Sequence, residues 1–491
     1  MHIAFFNPQG NFDHKDSYWT EHPDFGGQLV YVKELAIAMA NEGHEIDIVT
    51  RRIENSGWKE FADTIDYYPE AKGVRIVRIP CGPKGFIPKE ELWTHLEEWV
   101  ENIHFFYKEE GQMPGFVTTH YGDGGIAGCL FKEKTGIPFS FTAHSLGAQK
   151  MDKMGVSEEN YQEYESRFHF TTRIMAERHA MLHASICFVS TKQEREEQYT
   201  HSYYHGAGDR YNPEKFEVVP PGANTKIFTI LEADIDQKMN SYFDTLMIRD
   251  IVDGRRTLPG IICSSRLDTK KYHKGLVEAY AKDFDLQEKA NLVIVLRGVD
   301  NPFESYKQLS DEESNLMDEI MSLIDEHKLK GKVTFANILS QGELASFYRV
   351  ASNRRSIFSL TAIYEPFGLA PIEAMACGLP VVVTKNGGPS EVLKDDKGYY
   401  GVLVDVSNLS NIQEGLKLAL DNWDSYHLLG IQRVKSKYTW DIAAVQYVEA
   451  IRRIRTSEDE TRITKEMKDL LKGTLQLDLI DLKENNRDAR T

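Results

Sequence analysis

The stretch Ser359-Leu-Thr-Ala-Ile-Tyr-Glu365-Pro-Phe-Gly368-Leu-Ala-Pro371-Ile-Glu373-Ala-Met-Ala-Cys377-Gly378-Leu-Pro380 decides the fold. Ser356 to Thr361 reads as a short buried strand and Glu365 to Leu369 as a loop. Ala370 to Cys377 reads as a helix, with Pro371 in its first turn and Gly378 just past its end. Such a strand, loop and helix unit belongs to an open α/β sheet, where the loop lies at the carboxyl end of its strand, the place where ligands bind. The amides of Gly368, Leu369 and Ala370 open a helix whose dipole favours an anion, so a phosphate or a sugar hydroxyl fits there. Glu365 precedes the rigid Pro-Phe-Gly, and Glu373 lies in the helix's first turns near the same mouth; both can accept hydrogen bonds from hydroxyls. Taken singly, Glu373 reads as a complement to the helix dipole and Glu365 as a solvated loop acid.

Outward from this stretch the pattern repeats. Strands are expected at His2 to Phe6, Glu45 to Thr50, Val74 to Ile79, Phe116 to Thr119, Phe139 to Thr142, Ala184 to Val189 and Lys215 to Val219. A second series follows at Gly260 to Ser265, Asn291 to Arg297, Lys332 to Phe335, Ser356 to Leu360, Pro380 to Thr384 and Gly401 to Asp405. Helical segments separate them, which is the alternation of a parallel α/β domain, made twice without a repeat in sequence. Pro220-Pro-Gly-Ala-Asn-Thr225 reads as the exit from the first domain, and the polar, acidic stretch from Glu232 to Arg256 as a bridge to the second series. A helix is expected after Tyr438-Thr-Trp440, through Arg453. The charged run over 456–491, with an apolar patch at Leu470 to Leu482, is expected to form an appended helix without chemistry.

The chain has 491 residues, enough for two large domains. Its 41% hydrophobic and 27% charged residues are those of a soluble globular enzyme. No stretch has the roughly 18 uninterrupted apolar residues of a membrane span, and Met1 leads straight into a strand, so a cytoplasmic protein without membrane partners is expected. A net charge of −17 disfavours nucleic acid and anionic lipid. The five cysteines are odd in number and widely spaced, which suits reduced core thiols, and no metal cluster is legible.

Against that acidic background, local exceptions carry information. Ser264-Ser-Arg266-Leu-Asp-Thr-Lys270-Lys271 follows a strand and, with Lys274, concentrates positive charge at the position of a ligand loop. Asp24-Phe-Gly26-Gly27-Gln28 precedes a helix expected over Leu29 to Asn41, and glycines there let a ligand approach free amides. His120-Tyr-Gly-Asp-Gly-Gly125 and Ala143-His144-Ser-Leu-Gly-Ala-Gln-Lys150 each follow a strand, where ligand loops are expected. The Gly-x-Gly-x-x-Gly fingerprint is missing at the first helix, which disfavours an NAD-linked oxidoreductase.

As a whole, the string from 359 to 380 closely resembles the Glu-x7-Glu motif of the retaining GT-B glycosyltransferases of family 4. The resemblance implies two Rossmann-like parallel-sheet domains facing each other across a cleft. Residues 1–225 would form the acceptor domain and 226–435 the nucleotide-sugar donor domain, with a helix near 440–455 crossing back to the first. It places Glu373 on the nucleotide's ribose, Glu365 beside the donor sugar, and Phe367, Gly368, Leu369 and Ala370 over sugar and phosphate. In the group an Arg followed five residues later by a Lys binds the donor diphosphate; these are Arg266 and Lys271, with adjacent Lys270 leaving the register open by one place. Gly26 and Gly27 match the group's loop beside that diphosphate, and His144 matches the histidine set against the donor sugar. The implied catalytic set is therefore His144, Arg266, Lys271 and Glu365.

Within the group, the segment from Asp24 to Lys33, and Ser145-Leu-Gly with Lys150, are similar to the sucrose-phosphate synthases. That narrower resemblance implies UDP-glucose as donor and fructose 6-phosphate as acceptor, with Gln28 near the acceptor. The acceptor phosphate would draw on Lys89, Lys150, Arg173 and Arg178. Transfer from GDP-mannose to fructose 6-phosphate, as in a mannosylfructose-phosphate synthase, and a sucrose synthase using free fructose are alternatives. A sugar-nucleotide-binding protein without turnover is the alternative of another class. No cofactor or metal is required on this reading, Mg2+ acting at most as a stimulant.

Overall fold

Short runs such as His2-Ile-Ala-Phe-Phe6 and Val381-Val-Val-Thr384 carry apolar side chains on both faces, and they become strands covered by helices on both sides. The computed structural model describes residues 1–19, 22, 24–207, 213–454 and 462–474. The chain divides into two units, one made of Met1–Pro220 with the chain from Trp440 onward, the other of Pro221–Thr439.

Unit 1 is built on β1 (His2–Phe6), β2 (Glu45–Arg51), β3 (Ile65–Tyr67), β4 (Val74–Ile79), β5 (Phe116–His120), β6 (Phe139–Thr142), β7 (Ile186–Val189) and β8 (Phe216–Val218). They form an eight-stranded sheet in the order β3-β4-β2-β1-β5-β6-β7-β8. Only the edge strand β3 runs antiparallel to its neighbour; the other pairs are parallel. One face buries Phe6, Val117 and Phe141 under the helices Leu96–Glu110, Tyr121–Thr135 and Phe170–His183. The other buries Ile3, Phe5 and Ile48 under Gly27–Asn41 and Trp440–Arg453.

Unit 2 repeats the plan with β9 (Gly260–Ser264), β10 (Asn291–Leu296), β11 (Val333–Asn337), β12 (Ile357–Leu360) and β13 (Val381–Thr384). A hairpin of β14 (Lys394–Asp395) and β15 (Gly398–Tyr399) precedes β16 (Val402–Val404). The all-parallel order is β11-β10-β9-β12-β13-β16. Both units are thus Rossmann-like, as the motif pattern implies.

The strand orders fix where ligands can sit. Each sheet reverses direction once, between β1 and β5 in unit 1 and between β9 and β12 in unit 2. Loops leaving the carboxyl ends of two such strands diverge to opposite faces and leave a crevice between them, the usual ligand position in open α/β sheets.

Several expectations are corrected. The first helix begins at Gly27, two residues earlier than its apolar pattern indicates, so that Gly26 is its N-cap. The glycine-rich segment after β5 is no loop: the helix Tyr121–Thr135 starts directly after His120. Its glycines serve packing, since a Cβ at Gly124 would lie 2.7 Å from the Phe6 carbonyl oxygen, and one at Gly128 2.5 Å from Thr119 Cγ2. The acidic bridge is largely the helix Ile235–Asp250, which buries Met239, Phe243, Leu246 and Met247 along one stripe. At the chain's end, the helix Lys465–Leu471 buries Met467, Leu470 and Leu471 in the core of unit 1. The remainder of that apolar patch, from 475 to 482, lies outside the described residues. All five cysteines are buried and unpaired. Among the described residues no helix is long and apolar enough to cross a membrane.

Candidate active site

In unit 2 the basic loop and the acidic loop leave β9 and β12, the two strands at the switch point. The basic loop is shaped by Asp268, whose Oδ1 accepts from the Lys270 amide at 2.7 Å while its carbonyl accepts from the Lys271 amide at 3.0 Å. Backbone stitches join it to the loop after β12: the Ile363 amide donates to the Lys270 carbonyl at 2.9 Å, and Thr361 Oγ1 donates to the Tyr272 carbonyl at 3.3 Å. These contacts bring Lys271 Nζ to 2.6 Å from Glu365 Oε2, an ion pair largely shielded from solvent. Lys270 and Arg266 are exposed instead.

Glu365 is held from the other side by Lys385-Asn-Gly-Gly388. Its amide donates to the Asn386 carbonyl at 3.1 Å, and its own carbonyl accepts from the Gly388 amide at 3.1 Å. Gly387 sits at φ +102°, and a Cβ there would lie 2.1 Å from the Glu365 oxygen, so only glycine fits. Gly368, at φ +101°, caps the helix Leu369–Ala376 in the left-handed region, where its missing Cβ is also needed. Phe367 is buried beneath the loop, and Glu373 is half-buried about one turn into the helix. Arg266, Lys271, Glu365, Phe367 and Gly368 therefore belong to two loops fastened to each other, and Leu369, Ala370 and Glu373 to the helix that the second loop opens.

In unit 1 the loop after β1 is organised by buried amides. Gln28 Nε2 donates to Asn7 Oδ1, Gln9 Nε2 donates to Gln28 Oε1, and Asn7 Nδ2 donates to the Gln9 carbonyl at 2.6 Å. Gln28 thus has both ends of its amide engaged by the protein. Gly26 and Gly27 are exposed, and a Cβ at either would meet nothing within 4 Å among the described residues, so packing against those residues does not require glycine there. These glycines lead into the first turn of the helix, where the Leu29 amide donates to the Gly26 carbonyl at 3.0 Å and the dipole favours an anion.

Two buried guanidiniums shape the neighbouring loops through carbonyl oxygens. Arg51 donates to Cys81 at 3.1 Å, to Gly85 at 2.8 Å and to Pro83; Arg78 donates to Phe12 at 2.6 Å and Asp63 at 3.0 Å. Between these loops Lys89 pairs with Asp24 at 2.5 Å. Burial works to lower its pKa, but Asp24 outweighs it and the net shift is upward, so Lys89 stays charged.

His144 follows β6 with a left-handed backbone at φ +57° and is half-buried, its ring packed nearly perpendicular to that of Tyr31 with centroids 4.8 Å apart. Burial pulls its pKa down to about 3, so the imidazole is neutral at any working pH. Lys150 is half-buried, its ammonium 4.2 Å from the centre of the Phe168 ring. Arg173 is buried, its Nε 2.9 Å from Glu177 and a terminal nitrogen 2.5 Å from the Ser145 carbonyl. Glu177 also accepts from the Gly147 amide at 3.0 Å and from Tyr204 Oη, which fastens the His144 loop to the helix Phe170–His183. Arg178 donates to the carbonyls of Tyr203 and His205 at 2.5 and 3.0 Å. Arg173 and Arg178 thus hold up the backbone of this region through the carbonyls of Ser145, Tyr203 and His205, whereas Lys89 and Lys150 are half-buried ammonium groups beside Asp24 and the Phe168 ring. Among the described residues no three His, Cys, Asp or Glu side chains cluster as a metal site.

Asp123 has no assigned role in the sequence reading, although it lies in the quoted segment after β5. It is buried, with Oδ1 accepting from the Gly124 amide at 2.8 Å and Oδ2 without a partner among the described residues. Burial raises its pKa to about 7, against the Gly124 amide and the charges of Arg173 and Lys89. An acid embedded among small residues at a strand's end was the available signal. Because the folded-state pKa exceeds the unfolded one, the neutral carboxyl's contribution is fully present below about pH 4 and is lost as pH rises through 7. Asp123→Asn should therefore gain stability relative to wild type as pH goes from 5 to 8. Thermal melts at intervals of one pH unit check this; a constant difference across the range contradicts it.

Residues 1–248 match the family described as "Sucrose synthase first GT-B domain", and residues 249–433 match "Glycosyl transferases group 1". A protein of Thermosipho melanesiensis described as "Probable sucrose-phosphate synthase" is 48% identical over 451 residues, 92% of this chain and 96% of that protein. Spinach sucrose-phosphate synthase is 28% identical over 488 residues, 87% of this chain but 45% of the spinach protein, so the chain spans less than half of that relative. Among solved structures, sucrose-phosphate synthase from Thermosynechococcus elongatus has the same fold, with a TM-score of 0.66 at 24% identity over 92% of this chain and 98% of that one. The two Rossmann-like units, their loops at the switch points and the near full-length match to the Thermosipho protein lead to one assignment: the chain belongs to the sucrose-phosphate synthase family of GT-B glycosyltransferases.

Proposed function

We propose that the chain transfers glucose from UDP-glucose to the C2 hydroxyl of fructose 6-phosphate, with retention at the anomeric carbon, forming sucrose 6-phosphate and UDP. The observation that carries this is the pair of stitched loops in unit 2, which place Lys271 and Glu365 2.6 Å apart beside a helix N-terminus with an acid one turn in. That arrangement offers a cation and amides to a diphosphate and carboxylates to sugar hydroxyls.

As the glycosidic bond to the nucleotide breaks, negative charge grows on the leaving diphosphate. Arg266 and Lys271 oppose that charge without rearranging, the form of electrostatic catalysis that proteins use most. The acceptor hydroxyl attacks from the face the diphosphate leaves, and its proton goes to a donor phosphate oxygen. No protein nucleophile is invoked, and Glu365 orients rather than attacks.

Incubation with radiolabelled UDP-glucose and fructose 6-phosphate should give labelled sucrose 6-phosphate. GDP-mannose and free fructose should each be far poorer substrates. Preference for GDP-mannose would assign the mannosyl reaction, preference for fructose would assign sucrose synthase chemistry, and binding without transfer would leave a sugar-nucleotide receptor.

The acceptor's dianion is assigned to Lys89 and Lys150. Lys150→Ala should raise the KM for fructose 6-phosphate about 10- to 100-fold, since a charge-assisted bond contributes roughly 1.5 to 3 kcal/mol. UDP affinity, measured by calorimetry, should hardly change. Equal loss for fructose and its phosphate would overturn the phosphate assignment.

A further inference from the structure

His120 closes β5 beneath His144 and is completely buried. Its Nδ1 lies 2.9 Å from His144 Nε2, and its ring stacks on Phe5 with centroids 5.5 Å apart. Its Nε2 is also buried and has no hydrogen-bond partner among the described residues. Burial, and secondarily His144, hold the pKa of His120 well below the ordinary value, so both rings are neutral and each carries one proton.

Two neutral imidazoles joined by one hydrogen bond must divide the roles of donor and acceptor. If His144 donated from Nε2, His120 would have to carry its proton on its own Nε2, an N–H buried without an acceptor. If His120 donates from Nδ1, the buried orphan is a lone pair. Orphan N–H groups are the rarer defect in native interiors, and under-used acceptors are better tolerated. The second arrangement puts the His144 proton on Nδ1. Exchange of its two nitrogens by rotation of the ring is hindered by Tyr31, whose ring packs nearly perpendicular to it with centroids 4.8 Å apart.

We infer that His120 is a positioning residue that fixes His144 as the Nδ1–H tautomer, so that His144 offers its ligand a hydrogen-bond donor and not a lone pair. A donor is the group needed against an oxygen on which negative charge or lone pairs face the protein, whether a sugar hydroxyl or a phosphate oxygen. The inference rests on the reading that His144 serves the transfer reaction.

Nitrogen-15 NMR of histidine-labelled protein tests it, because protonated and bare imidazole nitrogens resonate far apart; the His144 signals are those absent from His144→Ala. In wild type Nδ1 of His144 should be protonated and Nε2 bare. His120→Leu removes the donor and should release the tautomer into a mixture, lowering kcat about tenfold, the loss of one neutral hydrogen bond, with little change in UDP affinity. His120→Asn, whose amide N–H can take the place of Nδ1–H, should restore the tautomer and most of the turnover. A wild-type His144 protonated on Nε2 overturns the inference, as does a leucine variant with wild-type tautomer and kcat, or an asparagine variant no better than leucine. Should the leucine variant not fold, the wild-type spectrum and the asparagine variant still decide. Unchanged transfer in His144→Ala would instead overturn the role of His144, a separate failure from that of the tautomer.

Discussion

Arg266→Ala and Lys271→Ala should each lower kcat by about 100-fold or more, the cost of removing one preorganised donor aimed at developing charge. The two losses should differ in kind. Arg266 is exposed, so its removal takes away a cation and disturbs little else. Lys271 is paired with Glu365 at 2.6 Å, so its removal also leaves a shielded carboxylate without its counter-ion at the mouth of an anion site. Adding Glu365→Gln to Lys271→Ala should therefore recover part of the lost UDP affinity, a non-additivity expected of groups in direct contact. Initial rates at saturating donor and acceptor, with calorimetric UDP binding, check both statements. Near-normal turnover in both single variants would remove the diphosphate assignment.

The second large effect is on stability. Glu177→Leu should destabilise unit 1 by roughly 3 to 5 kcal/mol, because it strands the buried charge of Arg173. It also removes the acceptor of the Gly147 amide and of Tyr204 Oη, so the loop bearing His144 loses its anchor to the helix Phe170–His183. Arg173→Met in the same chain should recover much of the loss, since a buried pair replaced by apolar groups of similar size is often nearly neutral. Urea denaturation followed by fluorescence measures this. A single-variant loss below about 1 kcal/mol would mean that Arg173 finds another counter-charge on rearrangement.

Much of this architecture was legible because its signals are local. Pro371 and Gly378 bracket the helix after β12, and alternation of apolar runs with helical segments marks both sheets. The errors arose where tertiary contacts outweigh local chemistry. The segment His120 to Gly125 read as a ligand loop because it follows a strand, yet it opens a helix that needs its glycines, Gly124 to approach Phe6 and, further on, Gly128 to approach Thr119. The stripe Met239, Phe243, Leu246 and Met247 was present in the sequence, but the charges around it suggested a linker.

Candidate site residues were legible as motifs, whereas their partners were not. Nothing in a sequence of separated loops tells that Lys89 meets Asp24 or that Lys271 and not Lys270 reaches Glu365; the pair Arg173 and Glu177, four residues apart on one helix, is the exception. The switch points carry that information, and strand order is a property of the folded sheet alone.

The contact between Lys271 and Glu365 has a consequence for ionic strength. Two unpaired cations awaiting an anion would make donor affinity fall steeply with added salt, through screening of their attraction and competition from solution anions. Here one of the two is already neutralised from within, so association of a diphosphate exchanges one counter-ion for another at Lys271 and makes a new pair only at Arg266. Donor affinity should therefore decline with salt at the shallow slope of a single exposed cation. Glu365→Gln, by uncovering the second, should steepen it.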